Sequence, residues 1–200
     1  MHWIPEGTLL EGELVSLIPL DPSHFNELAL LADDKRIWEH IPVDMSNTVK
    51  CISAFNTALT YVQNETEYPF IIYHKANRKI IGSTRLMEIS QPNTKLEIGW
   101  TWLHPDYWAT AINLDCKLAL LTYCFEALEA IRVQLKTDEN NKRSRKAILK
   151  IGAKFEGILR KDRIRDNGTV RNTAYFSILD TEWPDVKINL TRLLNKKMHE

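Results

Sequence analysis

The sequence predicts one α/β domain, and three observations support that class. The chain has 200 residues and is 44% hydrophobic, which is enough for one sizeable core. Segments with the two-residue period of strands are interspersed with segments that have the longer period of amphipathic helices. No linker, internal repeat or low-complexity tract separates them, so residues 1–200 are expected to form a single domain.

The N-terminal half predicts an edge strand, two helices and an antiparallel meander. Leu9–Leu20 alternates well enough for the edge strand, and Asp21 is placed to cap a helix over about 22–33. Ser46 is expected to cap a second helix over about 47–64. Three strands follow, YPFIIYH, KIIGSTRLMEI and LEIGWTWL, joined by the turns KANR and Gln91-Pro92-Asn93.

The C-terminal half predicts a buried helix, a central strand, a shorter helix, a hairpin and a last helix. An apolar stripe of leucines and Phe125 runs along residues 112–128, which is typical of a helix packed on a sheet. AIRVQLKTD reads as a central strand. The helix after it is capped by Asn140 or Asn141 and closed by Gly152. The hairpin turns at Asp166-Asn167-Gly168, and the last helix starts near Glu182.

Cysteine content and hydropathy narrow the class of protein. Cys51, Cys116 and Cys124 are odd in number and lack metal-ligand spacing, so neither disulfides nor a metal site is expected. The N-terminus lacks the basic and apolar regions of a signal peptide, and no apolar run approaches the roughly 18 residues of a membrane span. A cytoplasmic protein without membrane association is the expectation.

Charge is distributed unevenly along a chain whose formal net charge is zero. Residues 142–171 hold eleven Lys and Arg against three acids, whereas residues 1–44 hold nine acids against two bases. These segments are either ordinary solvated faces, or a site for a polyanionic ligand and a site for a cationic acceptor. A nucleic-acid partner is not expected, because the basic segment lacks interleaved aromatic residues.

The most informative stretch is a strand, a short turn and a helix between Leu96 and Leu128. The first N–H groups of a helix lack internal partners, so such a turn is a ready anion site. Glycines usually form turns that hold phosphates, but this turn carries Ala109 and Ala111.

Three segments together resemble the GNAT acetyltransferases of the RimJ/RimL type. They are EIGWTWLHPDYW followed by ATA and INLDCK, then RVQLKTDENNKRSRKAILKIGAKFEG, and then GTVRNTAYFSIL. The resemblance covers most of the chain and is strongest between about Ile81 and Leu179. It implies a mixed, mostly antiparallel sheet, flanked by helices and splayed open by a bulge along residues 96–103. The implied activity is transfer of an acetyl group from acetyl-CoA to a primary amine, either a protein N-terminus or a small amine.

The resemblance also implies where acetyl-CoA would bind. Backbone groups near Trp102 and Leu103 would pair with the pantetheine arm, and Asn140 would hydrogen-bond it. Arg145, with its basic neighbours Lys142, Arg143 and Lys146, would meet the phosphates. The remaining cofactor-binding residues belong to the turn and the helix start: Tyr107, Trp108, Ala109, Thr110, Ala111, Ile112 and Asn113. For Tyr107 and Trp108, packing in the core is the alternative role.

Two residues are the candidate catalytic groups. Glu97 would be the general base, because a carboxylate on a central strand is costly unless it is paired or functional; a salt bridge with Arg85 or Lys95 is the alternative. Strict alternation would place Glu97, Gly99, Thr101 and Leu103 on one face of the strand. Ser144 would protonate the leaving thiolate, as the resemblance implies.

Other candidate residues are weaker. Asp162 is a second possible base, although Lys161 and Arg163 beside it would pair it. Tyr175 would contact the thiolate or the substrate, and His40 lies in a loop where the resemblance places the acceptor. Each of these has an ordinary structural role as its alternative.

The turn departs from the family pattern in three places, namely Asp106, Ala109 and Ala111. Alanine costs little if the backbone is right-handed, but about 1 kcal/mol or more if it needs a positive φ. Asp106 would repel phosphates if it faced them. A non-catalytic module that binds CoA weakly is therefore the alternative function. The acceptor and the choice between monomer and homodimer stay open.

Overall fold

The computed structural model describes residues 2–200 and contains one eight-stranded sheet with helices on both faces. The strands are β1 (Leu10–Glu11), β2 (Val15–Pro19), β3 (Tyr68–His74), β4 (Lys79–Ser90), β5 (Lys95–Leu103), β6 (Arg132–Asp138), β7 (Lys154–Ile164) and β8 (Val170–Leu179). The helices are α1 (Phe25–Leu31), α2 (Thr48–Gln63), α3 (Ile112–Thr122), α4 (Lys142–Lys150) and α5 (Trp183–Met198).

The strand order is β1-β2-β3-β4-β5-β6-β8-β7. The β5–β6 pair is parallel, and the neighbouring pairs on both sides of it are antiparallel. A parallel neighbour requires a crossover, which the long helix α3 supplies. The predicted mixed, mostly antiparallel sheet is thus confirmed.

The sheet opens between β5 and β6. The two strands pair only over Lys95–Glu97 and Arg132–Gln134, although β5 continues to Leu103 and β6 to Asp138. On the other side of β5, the register with β4 shifts between Ser83 and Arg85, which leaves one extra residue on β5. Such a bulge bends a strand away from its neighbour. The predicted splay along 96–103 is therefore present.

The bulge also overturns the strict alternation expected for β5. Trp100 takes a positive φ of 48°, which reverses the direction of the side chains after it. Leu96, Ile98 and Leu103 contribute to the core cluster that contains α3, whereas Trp102 belongs to the cluster with α2. Thr101 also faces α3, because Lys117 Nζ donates to its hydroxyl at 2.7 Å. Leu103 and Thr101 thus lie opposite Glu97, not beside it.

Two hydrophobic clusters cover the two faces of the sheet. The larger contains buried residues of α3 and α5, including Leu120 and Leu190. The smaller contains buried residues of α1 and α2, including Leu28 and Phe55. Burial of apolar area on both faces, at about 25 cal/mol per Å², is the main stabilising term for this layered arrangement.

Most predicted elements are present, with three local corrections. The expected strand 9–20 is a short hairpin, because residues 12–14 turn back and place β1 against β2. The first helix begins with a 3-10 turn at Pro22, which Asp21 caps through Ser23 N. Helix α2 is capped by Asn47 and not by Ser46, since Asn47 Oδ1 accepts from Lys50 N at 3.1 Å.

Helix α3 also differs from the predicted helix 112–128. It ends at Thr122 and continues as a π-helical turn over Tyr123–Ala127. Near its start, the Asp115 carboxylate accepts three backbone N–H groups of the turn between β1 and β2, at 2.7–2.9 Å. A side chain from α3 thereby fixes the edge hairpin. Among residues 2–200, no helix is both long and apolar enough for a membrane span.

Candidate functional site

The site is built around the gap in the sheet. Beyond Glu97, β5 and β6 no longer pair, so each strand presents a backbone edge to the gap. The turn that leads to α3 follows the open end of β5, and α4 begins just after the open end of β6. An extended ligand with amide groups can pair with such edges, and an anion suits the helix N-termini beside them.

The turn before α3 places Ala109 in a left-handed conformation. Its φ is +60°, whereas Ala111 has φ −69° and ψ −17°, which any residue adopts. Only Ala109 therefore needs the conformation that favours glycine. The Asp106 carboxylate is exposed and 3.3 Å from His104 Nδ1.

The hydrogen bonds of this turn show which amides remain for a ligand. Tyr107 N donates to His104 O and Trp108 N donates to Pro105 O, so both are used inside the turn. Thr110 Oγ1 accepts from Ile112 N at 3.3 Å. In the described part of the chain, no side chain caps α3. The amides left for an anion are therefore those of Ala109, Thr110 and Ala111 and those that follow Ile112 in the first turn of α3.

The two aromatic residues of the turn point in different directions. The Tyr107 hydroxyl accepts from Asn77 Nδ2 at 3.0 Å, and its ring packs edge-on against His74. Its side chain thus packs on the β3–β4 turn. Trp108 Nε1 donates to Leu103 O at 2.9 Å, at the end of β5, and the Arg143 guanidinium lies 3.6 Å from the centre of the Trp108 ring. Arg143 therefore joins α4 to the turn before α3.

The backbone at the end of β5 is divided between β4 and the gap. Gly82 of β4 allows close approach, because a Cβ there would lie 2.1 Å from Trp102 O. His104 N donates to Ile81 O, also on β4. The Trp102 indole is buried against Trp38, with ring centres 5.4 Å apart. The N–H and C=O groups of Leu103 face away from β4, and the carbonyl oxygen accepts a hydrogen bond from Trp108 Nε1.

The start of α4 brings together the other predicted binding residues. Asn141 is its cap, since Asn141 Oδ1 accepts from Ser144 N at 2.9 Å. Helix capping therefore does not account for Asn140, whose side chain is exposed. Ser144 is half-buried. Arg145 turns back towards the strand end, where its Nη1 donates to Glu139 O at 3.0 Å.

Glu97 lies at the point where the gap begins. It is 1% exposed, and its carboxylate accepts from Gln134 Nε2 at 2.8 Å and lies 2.9 Å from Lys136 Nζ. The alternative expectation, a salt bridge of Glu97 with Arg85 or Lys95, is wrong. Arg85 pairs with Glu67 instead. Burial raises the pKa of Glu97, while the Lys136 charge opposes that shift.

Lys136 connects this buried acid to the surface. Its Nζ also bonds Glu88 Oε1 at 2.6 Å, and it lies 5.9 Å from the centre of the Tyr175 ring. The pKa of Lys136 is raised, because the charge and hydrogen bonds of Glu97 and Glu88 outweigh its burial. Burial, with smaller contributions from Asp162, Glu88 and Glu97, raises the pKa of Tyr175.

Gln134 and Lys136 were not predicted as partners of Glu97. Alternation along RVQLKTD does place both on one face of β6. The missing information was the parallel pairing of Glu97 with Gln134, which brings that face beside the acid. No local sequence pattern predicts that Arg143 stacks on Trp108, because the two residues lie far apart in the sequence.

The weaker candidates lie beyond this cluster. His40 is half-buried in the loop before α2, and its carbonyl accepts from Arg171 Nη1 at 3.4 Å. Asp162 is not firmly paired by its neighbours: Arg163 Nε is 3.8 Å away, and Asp162 Oδ2 has no hydrogen-bond partner among residues 2–200.

Comparisons with known proteins give one family. Residues 15–154 match the sequence profile of the acetyltransferase (GNAT) domain. A curated relative, YdaF of Bacillus subtilis (strain 168), is named as a candidate ribosomal N-acetyltransferase and is 33% identical over 108 residues. That match covers 54% of this chain and 58% of YdaF, so the chain spans less than two thirds of that relative's length.

Solved structures give the same fold. A GCN5-related N-acetyltransferase from Brucella melitensis matches with a TM-score of 0.86 and 27% identity, over 95% of this chain and 86% of the other. Mycobacterium smegmatis RimJ, in complex with CoA-disulfide, matches with a TM-score of 0.78 over 93% of each chain. At 18% identity, the latter is a likeness of fold alone.

Proposed function

Because the chain belongs to the GNAT family of N-acetyltransferases, which use acetyl-CoA, we propose that it transfers the acetyl group directly to a primary amine. The acceptor is a protein N-terminus or a small amine. The observation that carries the proposal is that Glu97, a buried carboxylate, lies at the last residue pair before β5 and β6 separate. A base at the inner end of an open cleft is what direct transfer needs.

The residues around the gap fit the co-substrate. The open edge near Trp102 and Leu103 and the exposed Asn140 would hold the pantetheine arm. The pyrophosphate would meet the amides of Ala109, Thr110, Ala111 and Asn113, with Arg145 and Arg143 as nearby cations. Ile112 N would have to exchange its bond to Thr110 Oγ1 for the ligand. Bound there, acetyl-CoA supplies an activated carbonyl. Tyr107 and Trp108 contribute mainly by shaping the turn, because their amides are used within it.

Glu97 removes the proton from the acceptor ammonium. It is almost fully buried, so a water relays the proton between the amine and the carboxylate. Burial raises the pKa of Glu97, which favours a proton acceptor near neutral pH, and Lys136 keeps the carboxylate charged. Asp162 is the alternative base.

The other bond changes follow from that proton transfer. The amine nitrogen bonds the acetyl carbon while the carbon–sulfur bond breaks, and Ser144 donates a proton to the departing thiolate. The second proton that the nitrogen loses returns through water to the Ser144 oxygen. The half-buried position of Ser144 in the first turn of α4, beside the gap, supports this role. No covalent enzyme intermediate is required.

The test is release of CoA from acetyl-CoA in the presence of a panel of primary amines. Glu97→Gln should lower turnover more than tenfold and leave the affinity for acetyl-CoA nearly unchanged. Glu88→Gln is the matched control, because Glu88 bonds the same Lys136 but is half exposed. Unchanged turnover in the Glu97 variant would remove it as the base, and loss in Asp162→Asn alone would assign the role to Asp162.

A non-catalytic binder remains the second candidate, on one observation. Ala109 has a left-handed backbone and carries a methyl group where the family pattern has glycine. Calorimetry with acetyl-CoA separates the two functions. Binding below millimolar concentrations excludes a protein that does not bind CoA, and turnover excludes a passive binder.

A further inference from the structure

Lys117 is a buried lysine of α3 that the proposed mechanism does not use. Its side chain is 6% exposed, and its neighbours on the buried face of the helix include Leu120 and Leu121. In the described part of the chain, no carboxylate pairs with its ammonium. Asp115, one turn position away, bonds the turn between β1 and β2 instead. A buried ammonium without an acidic partner costs stability, so its presence indicates a role other than support of the fold.

The ammonium of Lys117 begins a polar bridge that crosses from α3 to the sheet. Its Nζ donates to Thr101 Oγ1 on β5 at 2.7 Å. Thr101 Oγ1 lies 2.7 Å from Thr84 Oγ1 on β4, and Thr84 is fully buried. These three side chains, which we call the polar bridge, therefore join one helix to two neighbouring strands.

The polar bridge meets β5 at its bulge. Thr84 lies opposite the part of β5 that carries the extra residue, where the register between the two strands shifts. That part contains Trp100, whose φ of +48° is left-handed. Such a backbone at a bulky residue persists only where the surrounding groups hold it. Because Thr101 is the next residue, the polar bridge holds the chain directly after the strained position.

The other face of the sheet holds the Trp100 side chain. Arg85 Cζ lies 4.8 Å from the centre of the Trp100 ring, and the same guanidinium pairs with Glu67 at 2.9 Å. The ring packs against the smaller core cluster, whereas Lys117 belongs to the helix that covers the opposite face. The bulge is thus fixed from both faces, and the polar bridge determines the direction of the strand beyond it.

The bulge matters because it keeps β5 away from β6. The two strands pair as far as Glu97, and the bulge follows within a few residues. If residues 98–103 took the regular twist of a strand, their N–H and C=O groups could continue the ladder with β6. The gap would then narrow, and the backbone edge near Trp102 and Leu103 would no longer be available to a ligand.

We propose that Lys117 is a positioning residue, which holds the bulge of β5 through Thr101 and Thr84 and so keeps the edge of β5 open for the pantetheine arm. It acts through Thr101 and needs no contact with either substrate. This inference rests on the proposed function, because acetyl-CoA is the ligand that the open edge serves. The role accounts for a core ammonium that lowers the stability of the protein.

The first test is calorimetric binding of CoA to Lys117→Met, with thermal unfolding in parallel. Methionine fills similar space but has no donor. The dissociation constant for CoA should rise about tenfold, because the apparent affinity falls with the fraction of molecules in the binding form. The melting temperature should not fall, since the variant no longer buries an ammonium. Unchanged affinity for CoA overturns the proposal, and so does weaker binding together with a lower melting temperature.

Variants of Thr101 test the hydrogen bonds of the polar bridge. Thr101→Val removes the hydroxyl with little change of shape, and it should weaken CoA binding at least as much as Lys117→Met. Thr101→Ser keeps the hydroxyl and should retain most of the affinity. Adding Lys117→Met to Thr101→Val should cause little further loss, because both changes break the same bridge. Additive losses, or equal losses in the valine and serine variants, overturn the proposal.

Lys75→Met is the matched control. Lys75 Nζ donates to Gly12 O at 2.6 Å, beside the β1–β2 turn at the edge of the sheet. This variant loses a lysine donor without touching the bulge, so it should bind CoA like the original protein. Equal weakening by Lys75→Met and Lys117→Met overturns the proposal, because the effect would then not depend on the polar bridge.

Amide exchange in the protein without CoA separates this inference from the proposed function. Residues 98–103 should exchange about tenfold faster in Lys117→Met, while β2 and β3 keep their protection. Faster exchange along β5 in a protein that transfers no acetyl group contradicts the proposed function and leaves Lys117 as the residue that holds the bulge. Unchanged exchange in a protein that does transfer acetyl groups contradicts this inference and leaves the function in place.

Discussion

Ala109→Gly tests the strain in the turn before α3. An alanine at φ +60° costs about 1–2 kcal/mol relative to its right-handed conformation, and glycine avoids that cost. Glycine also gives the unfolded chain more freedom, which offsets roughly 0.5–1 kcal/mol. The free energy of unfolding should therefore rise by about 0.5–1 kcal/mol. For a domain of this size, that corresponds to a melting temperature higher by about 1–4 °C.

Ala111→Gly is the matched control in the same turn. Ala111 has a right-handed backbone and a methyl in the larger core, where it is 8% exposed. Its replacement should lower the free energy of unfolding by about 1–2 kcal/mol, from the lost methyl contact and the added chain freedom. Thermal unfolding of both variants measures the contrast.

The strain at Ala109 bears on stability more than on affinity. Because the turn has its left-handed shape without a ligand, the strain is present before and after binding and cancels from the binding free energy. Calorimetry with acetyl-CoA should then show a change only from the methyl's bulk. Equal destabilisation by Ala109→Gly and Ala111→Gly would refute the assignment of strain to Ala109.

Two further predictions concern α3. Burial lowers the pKa of Lys117, so the folded state resists its protonation and loses stability as the pH falls below the unfolded value of about 10.4. Lys117→Met should therefore raise the free energy of unfolding at pH 7, by about 1.4 kcal/mol for each unit of the pKa shift. In urea titrations, this gain should become smaller as the pH approaches 10. A difference between the variant and the original protein that does not depend on pH would contradict this explanation. Asp115→Ala removes the acceptor of three backbone N–H groups and should cost about 3 kcal/mol, measured by chemical denaturation; a loss below about 1 kcal/mol would mean that the turn before β2 finds other partners.

Local sequence patterns predicted the elements well, because periodicity and caps act over a few residues. Asp21, Asn141 and Gly152 end or begin helices as expected, and Gly168 lies at φ +79° in the hairpin turn. The prediction that Ser46 caps α2 was wrong, because Asn47, one residue later, has the extended backbone that a capping residue needs. Two adjacent capping residues cannot be ranked without the backbone.

The site was less predictable, because its contacts join distant segments. Glu97 was identified from the cost of burying a carboxylate, but its partner Lys136 depends on the parallel pairing of β5 with β6. Strict alternation of side chains ends at Trp100, where one residue with positive φ exchanges the two faces of β5.

The short β5–β6 contact has a consequence for the motions of the protein. Within residues 2–200, three residue pairs form the only ladder between a five-strand half and a three-strand half of the sheet. Because so few residues pair across this seam, we expect that a slight rotation of one half would change the width of the gap with little loss of hydrogen bonding. A ligand chain lying in the gap acts as a ninth strand that ties the halves together. Slow amide exchange on both sides of the seam should therefore depend on ligand occupancy more than exchange within either half.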